Sequence, residues 1–159
     1  MSGIGLTFTL VPGVRRTDFR AVGFLTGAPA KDAFDGFPEK VRMDLRTYMD
    51  EWASGKNGPE CRFHGLPNDS KFSEGFTFKA KEKRLRHRLY GYLFHPLPIS
   101  NPRFQICVLC IHTTKTQKDT DRTLMGWVYR FVECAKAAIA KIFPDDIGQE
   151  KGKVLSWKR

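Results

Sequence analysis

Residues 79–118 read KAKEKRLRHRLYGYLFHPLPISNPRFQICVLCIHTTKTQK, and most of the excess charge of the protein lies in them. The stretch holds nine Lys and Arg residues against one acid, Glu82, whereas residues 1–78 carry as many acids as bases. The net charge of the whole 159-residue chain is +10. Such a concentration of cations in one quarter of the chain predicts a surface that binds a polyanion.

The same stretch predicts two strands joined by a Pro-rich loop. If residues 83–94 are extended, alternation places five mostly apolar residues against the core, namely Leu85, His87, Leu89, Gly91 and Leu93. It places three guanidiniums and two phenols on the other face, namely Arg84, Arg86, Arg88, Tyr90 and Tyr92. A solvated sheet face explains an Arg at any one position, but a row without a carboxylate is repulsive unless an anion offsets it. RNA supplies phosphates for Arg and base faces for Tyr, so this face is predicted to contact RNA.

The residues after the loop predict a central strand, a basic turn and a helix. Phe104–His112 is apolar on both faces, which is typical of a strand in the middle of a sheet. Residues 112–118 form a polar turn, and one of residues 119–121 (Asp, Thr, Asp) then caps the helix. The helix is predicted to end at Pro144, and its apolar stripe consists of Leu124, Val128, Phe131, Ala135, Ile139 and Ile142.

The N-terminal half predicts two strands and one long helix. Alternating apolar residues at 6–10 and an apolar patch at 19–25 flank a Pro-Gly turn. Over residues 34–52, apolar side chains recur every three or four positions, which predicts one amphipathic helix with Pro38 in its first turn. Residues 55–75 are rich in Gly and Pro and are predicted to be an irregular connection.

Four cysteines in a chain without a secretory signal are predicted to be reduced thiols. Cys61 with His64, and Cys107 with Cys110, have the spacing of zinc ligands. Positions three apart on a strand face opposite sides of the sheet, so Cys107 and Cys110 are predicted not to hold one ion together. We therefore predict no metal site, and His64 is interpreted as an ordinary loop histidine.

The bulk properties predict a single domain in the cytoplasm. A chain of 159 residues can bury a core without metal or disulfide help. Its apolar runs fall short of the roughly 20 residues of a membrane-spanning helix. The N-terminus lacks the charged, apolar and small-residue order of a signal peptide, so neither secretion nor a membrane partner is expected.

The order of these elements, with three short stretches of sequence, resembles the RelE/HigB-like toxins of type II toxin-antitoxin systems, in particular their phage-derived branch. The stretches are Arg88-Leu-Tyr-Gly-Tyr92, Val108-Leu-Cys-Ile-His-Thr-Thr-Lys-Thr-Gln-Lys118 and, less specifically, the helix start Pro38-Glu-Lys-Val41. The resemblance covers residues 34–140. The chain departs from the family in its first thirty residues and its long Pro-rich loop, and at two sites where the family often shows Glu-x-Arg and a second Lys, namely Phe78-Lys79-Ala80 and Thr114.

This resemblance implies a small α+β domain, with an N-terminal helix region packed on a curved antiparallel sheet and a C-terminal helix. The chain then divides into a strand-containing extension (1–30), one RelE-like domain (31–143) and a polar tail (144–159). The resemblance also implies a toxin that cleaves mRNA, with or without the ribosome, and a protein antitoxin that covers the basic face. No cofactor is expected.

The expected reaction is a metal-independent attack of the 2′-OH on the adjacent phosphate, which needs a proton acceptor, cations for the phosphorane and a proton donor. Arg86 and Arg88 are candidates to clamp the phosphate, and Tyr90 is a candidate for base stacking or proton transfer. His112 could act as acid or base, or could simply cap the strand in water. Lys115 could hold the backbone or assist the chemistry. The remaining RNA-binding candidates are Lys83, Arg84, Tyr92 and Lys118.

Two other functions are compatible with the same residues. A non-enzymatic gyrase inhibitor, like the ParE branch of the same fold, would need neither His112 nor the two tyrosines. A phage-derived basic module that only binds nucleic acid would show an affinity that falls steeply with salt.

Overall fold

The computed structural model describes residues 7–17, 20–56, 58–59, 62–94, 105–115 and 121–149, with side chains described up to residue 135. In chain order the elements are β1 (Thr7–Leu10), β2 (Arg20–Thr26), α1 (Ala30–Gly36), α2 (Glu39–Ala53), β3 (Phe63–Gly65), β4 (Gly75–Glu82), β5 (Leu85–Phe94), β6 (Gln105–Lys115) and α3 (Arg122–Gln149). The predicted α+β class is confirmed. None of the helices in the described part of the chain is long and apolar enough to cross a membrane.

The six strands form one mixed sheet in the order β1-β2-β6-β5-β4-β3. All neighbouring strands are antiparallel except β2 and β6, which are parallel. The prediction of an antiparallel sheet is therefore wrong at this pair, because the connection through α1, α2 and the β4–β5 hairpin returns the chain beside β2 in the same direction. The prediction that the second strand of the 79–118 stretch is central is confirmed, and residues 106–110 of β6 are fully buried.

Helices cover both faces of the sheet. Helices α1 and α2 pack on one face, here called the α1/α2 face, against residues that include Val22, Phe24, Phe78, Leu89, Cys107 and Leu109. Helix α3 packs on the other, here called the α3 face, against residues that include Leu25, Tyr90, Ile106, Val108 and Cys110. The strands assigned to an N-terminal extension belong to this same sheet, since β2 pairs with β6.

The predicted single helix over residues 34–52 is broken into α1 and α2. Phe37 is extended, with φ −68° and ψ 153°, because the residue before a proline is disfavoured in the helical region. Pro38 accordingly lies at the N-cap of α2 and not inside a first turn. The Arg42 guanidinium donates to the carbonyls of Asp35 and Phe37, so the groups that the break exposes are satisfied.

Two further strands were not predicted. Strand β3 lies inside the stretch 55–75, and β4 precedes the predicted first strand, so residues 79–118 contribute to three strands and not two. The turn between β4 and β5 is only Lys83-Arg84, with Glu82 paired to Leu85. Lys83 has φ 56°, a left-handed backbone conformation that residues other than Gly adopt at some energetic cost. Because residues 83 and 84 form this tight turn, β5 begins at Leu85.

Helix α3 begins as predicted but continues further. The Asp121 carboxylate accepts a hydrogen bond from the Leu124 backbone N–H at 3.1 Å, which confirms one of the three predicted caps. The helix runs past Pro144 to Gln149. The fixed φ of proline near −65° is compatible with a helix, and its missing N–H removes one hydrogen bond without forcing the helix to end. Within the described side chains its buried residues are Met125, Val128, Val132 and Ala135, whereas Leu124 and Phe131 are only partly buried.

Candidate nucleic-acid interface

A β-bulge in β6 decides which side chains share a face. Tyr90 pairs with Ile111 but Gly91 pairs with Leu109, so Cys110 is the extra residue. Cys110 and Ile111 therefore both pack on the α3 side, although they are consecutive in sequence. Gly91 permits the close approach, because a Cβ there would lie 2.8 Å from the Val108 carbonyl oxygen.

The bulge turns His112 to the α1/α2 face. His112 pairs with Leu89, which is buried in the α1/α2 core, and its ring lies 6.4 Å from the Phe37 ring centroid. His87 lies on the same face, 4.9 Å from the Phe37 ring, and its Nδ1 is 3.0 Å from the Thr114 hydroxyl. Burial lowers the pKa of His87, and the nearby Glu82 charge opposes that shift.

Cations line up across three strands on the α3 face. Lys81, Arg86 and Lys115 are directly opposite one another on β4, β5 and β6. One step further along the strands, Lys79 and Arg88 are opposite each other, with Thr113 beyond them. We call the five cations of these two rows the basic patch, which consists of Lys79, Lys81, Arg86, Arg88 and Lys115.

The basic patch changes from exposed to buried along its length. The Lys81 side chain is exposed, and those of Lys79, Arg86 and Lys115 are half-buried. Arg88 is only 2% exposed, and Tyr90 beyond it is fully buried under α3. The expectation of an open face from Arg84 to Tyr92 is therefore wrong for Arg88, which is buried, and for Tyr90, on which α3 docks.

The single acid of strands β4, β5 and β6 lies on the other face. Glu82 pairs with Leu85 and acts electrostatically on His87 and Lys40, both on the α1/α2 side. The cross-strand neighbours within the basic patch are thus like charges, an arrangement that destabilises a sheet unless an anion or water offsets it. Lys83 and Arg84, exposed in the β4–β5 turn, add charge at the same end of the sheet.

The remaining predicted RNA contacts are placed elsewhere. Tyr92 is half-buried, and its ring packs edge-on against Tyr129 of α3 with ring centroids 5.0 Å apart. Burial raises the pKa of Tyr92, with Glu74 and Glu133 adding to the effect. The Tyr90 hydroxyl accepts a hydrogen bond from the Asp121 N–H at 3.3 Å, so both phenols help to seat α3. Lys118 lies outside the described residues.

Of the nine predicted site residues, the structure therefore brings Arg86, Arg88 and Lys115 together, with Lys83 and Arg84 nearby. It separates His112 from them by the thickness of the sheet. Lys79 and Lys81, which are counted in the charge of residues 79–118 but are not among the predicted site residues, are two further members of the patch. Their alternation, Lys79-Ala80-Lys81, was the available signal, because it puts both amines on the face opposite the buried Ala80.

The cysteines occupy the places that strand alternation predicted. Cys107 is buried in the α1/α2 core and Cys110 in the α3 core, so they lie on opposite faces of the sheet. Burial raises the pKa of both thiols. Cys61 lies outside the described residues, and His64 lies in β3 with its Nδ1 3.1 Å from the Gly65 carbonyl oxygen. The described residues contain no group of three or more His, Cys, Asp or Glu side chains that could hold a metal ion.

The chain was compared with protein families, with curated proteins and with solved structures. No family model matches it. No curated protein and no solved structure matches it either.

Proposed function

We propose that the protein binds RNA and that the basic patch contacts the phosphate backbone. The observation that carries this proposal is the pair of adjacent cation rows on the α3 face, with no acid in the strands on that side. Neighbouring side chains in a row are about 5 Å apart, and the rows are about 7 Å apart because a strand rises about 3.4 Å per residue. Such a grid holds charge close enough together to engage neighbouring phosphates of one strand.

Arg86 is the centre of the proposed contact. It is flanked by Lys81 on β4 and Lys115 on β6, so a phosphate above β5 would meet a cation on three neighbouring strands. A guanidinium can bind two phosphoryl oxygens at once. Arg88, buried behind Arg86, adds positive potential without needing to touch the RNA.

The test is fluorescence anisotropy with a single-stranded RNA oligonucleotide at several salt concentrations. A triple variant, Lys81→Gln with Arg86→Gln and Lys115→Gln, removes three phosphate partners. The slope of the logarithm of the association constant against the logarithm of the salt concentration should become less negative by about 2. The matched control, Lys31→Gln with Lys56→Gln and Arg130→Gln, removes the same charge away from the patch. An equal loss of RNA affinity in both triple variants would contradict the proposed location. A DNA oligonucleotide of the same sequence tests the preference for RNA.

We further propose, from the resemblance to RelE/HigB-like toxins, that the bound RNA is cleaved as part of a toxin activity. The row of Lys81, Arg86 and Lys115 supports this second candidate, because three converging cations can stabilise the charge of a phosphorane. Neither His112, on the opposite face, nor Tyr90, under α3, is placed to transfer a proton to RNA at the patch. Proton transfer in this proposal therefore falls to Lys115, which lies opposite Arg86. An acidic antitoxin segment would be expected to cover the same patch.

Cleavage is tested with mRNA, both free and on translating ribosomes. Arg86→Ala should lower the rate by about 10²- to 10³-fold, whereas His112→Ala should leave it unchanged. Full activity of Arg86→Ala would contradict this site. Inhibition of gyrase supercoiling without any RNA cleavage would instead select the non-enzymatic inhibitor.

A further inference from the structure

A second concave site lies at the other end of the sheet and on its other face. It is a cavity of about 300 Å³ between the C-terminal end of α2, strand β3 and the ends of β2, β4, β5 and β6. This volume is at the lower limit for small-molecule sites, which run from about 300 to 1,000 Å³. The residues that matter for its chemistry are Arg20, Trp52, Phe63, His64, Phe76 and Gln105.

Aromatic rings form one wall of this cavity. The Trp52 and Phe76 rings lie 5.3 Å apart, and Phe63 stacks on Phe76 at 6.2 Å with an interplanar angle of 24°. All three side chains are at least nine-tenths buried and pack on one another, so the wall is fixed. A rigid wall of ring carbons favours a flat apolar ligand.

Arg20, the one Lys or Arg among the described residues that line the cavity, is held in place by its own hydrogen bonds. The Arg20 guanidinium lies 4.7 Å from the centroid of the Trp52 ring. Its Nε donates to the Gln105 side-chain oxygen at 3.1 Å, and its Nη1 donates to the Trp52 carbonyl oxygen at 2.8 Å. Its third nitrogen, Nη2, makes no hydrogen bond to the described part of the chain.

Among the described residues that line the cavity, none carries a charge opposite to that of Arg20, since no Asp or Glu is among them. Burial removes part of the hydration of the Arg20 charge and thereby lowers its pKa. An anion placed at Nη2 would restore that lost stabilisation by a charge-assisted hydrogen bond.

We propose that this cavity binds a small planar aromatic anion, with its acidic group on Arg20 and its ring against Trp52, Phe63 and Phe76. The shared chemistry is a flat apolar body with one oxyanion, which an aromatic carboxylate and a nucleoside monophosphate both possess. The site does not depend on the proposed RNA binding, because it lies on the α1/α2 side and at the opposite end of the strands from the basic patch.

The test is NMR titration of the full chain, following amide and indole N–H signals. The probes are benzoate, indole carboxylate, adenosine monophosphate, adenosine and inorganic phosphate. The Trp52 indole signal should shift with the aromatic anions, whereas that of Trp127, which is exposed on α3, should not. A response to the carboxylates alone or to the monophosphate alone identifies the source of the oxyanion, and either supports the proposal.

Two variants locate the ligand. Arg20→Gln should weaken binding at least tenfold, and the matched charge control Arg130→Gln should not change it. Since Arg20 also binds the end of α2, Gly65→Val serves as a second variant. Gly65 lines the cavity, and a Cβ there meets the Phe76 ring at 3.4 Å, so the added side chain is expected to take up room beside the aromatic wall. This variant too should weaken binding at least tenfold.

Three results would overturn the proposal. They are the absence of any shift at Trp52 with all probes, equal binding of adenosine and adenosine monophosphate, and unchanged affinity in a folded Arg20→Gln or Gly65→Val variant. Binding of inorganic phosphate alone would also overturn it, because the aromatic wall would then have no role.

Discussion

The two faces of the sheet are covered to different extents. On the α1/α2 face, two helices bury apolar residues as far as His87, which closes that end beneath the Phe37 ring. On the α3 face, one helix covers the sheet as far as Tyr90, and beyond it the strands carry the basic patch, of which only Arg88 is buried. Like charges are tolerated where water or an anion can reach them, so the face with less helical cover is the one that can carry a polyanion site.

Removing a large side chain from the α1/α2 face should have the largest effect on stability. Phe78 is fully buried and its ring contacts those of Trp52, Phe63 and Phe76. Phe78→Ala should lower the free energy of unfolding by about 3–5 kcal/mol, measured by urea denaturation. Met43→Ala, at a side chain that is 56% exposed, is the control and should change it by less than about 0.5 kcal/mol.

The bulge between the faces gives the next largest effect. Gly91→Ala brings a Cβ to 2.8 Å from the Val108 carbonyl oxygen, in a part of the sheet where neither strand can easily move. We expect a loss of about 1–3 kcal/mol in the free energy of unfolding. The control is Gly36→Ala, whose added Cβ meets open space, so it should be neutral or slightly stabilising. If Gly91→Ala and Gly36→Ala lose the same free energy of unfolding, the bulge does not specifically require glycine.

The N-cap of α3 stands where the covered and the open parts of the α3 face meet. Asp121→Ala leaves the Leu124 N–H without its acceptor and should cost about 1 kcal/mol of stability, measured by thermal denaturation. Asp121→Asn keeps an acceptor at the cap and should recover most of that loss. If Asp121→Asn is as unstable as Asp121→Ala, the effect does not come from capping.

The stability of the protein should also depend on pH through His87 on the α1/α2 face. Its pKa is lowered in the folded protein by burial, so the native state binds fewer protons than the unfolded state below the ordinary value of 6.5. Stability should therefore be full above pH 6.5 and fall as the pH decreases below it. His87→Asn should flatten this part of the profile, and an unchanged slope in urea titrations between pH 5 and 8 would exclude His87 as its origin.

The smallest effect on stability is expected at the exposed end of the basic patch on the α3 face. Lys81→Gln removes a like charge opposite Arg86 and should raise the free energy of unfolding by a few tenths of a kcal/mol at low salt. The gain should disappear near 1 M salt, where charges are screened over about 3 Å. A destabilised Lys81→Gln protein would mean that the patch contributes to the fold and not only to binding.

The elements themselves could largely be predicted from local sequence. The alternation around β1 and β2, the apolar run of β6 and the Asp121 cap all appear where the sequence predicts them. The break at Phe37-Pro38 was missed because the apolar stripe continues through it, so periodicity alone does not reveal that Phe37 is extended. Strand β4 was missed because its first residue, Gly75, is the last residue of the connection predicted over residues 55–75.

The candidate site was only partly predictable. The sequence alone determined that charge is concentrated in residues 79–118 and, by strand alternation, that Cys107 and Cys110 lie on opposite faces. Only the tertiary structure decided that Arg88 is buried, that Tyr90 lies beneath α3 and that His112 faces away from Arg86. The physical reason is that alternation is a property of one strand, whereas burial and bulges depend on what the neighbouring strand and helix place against it.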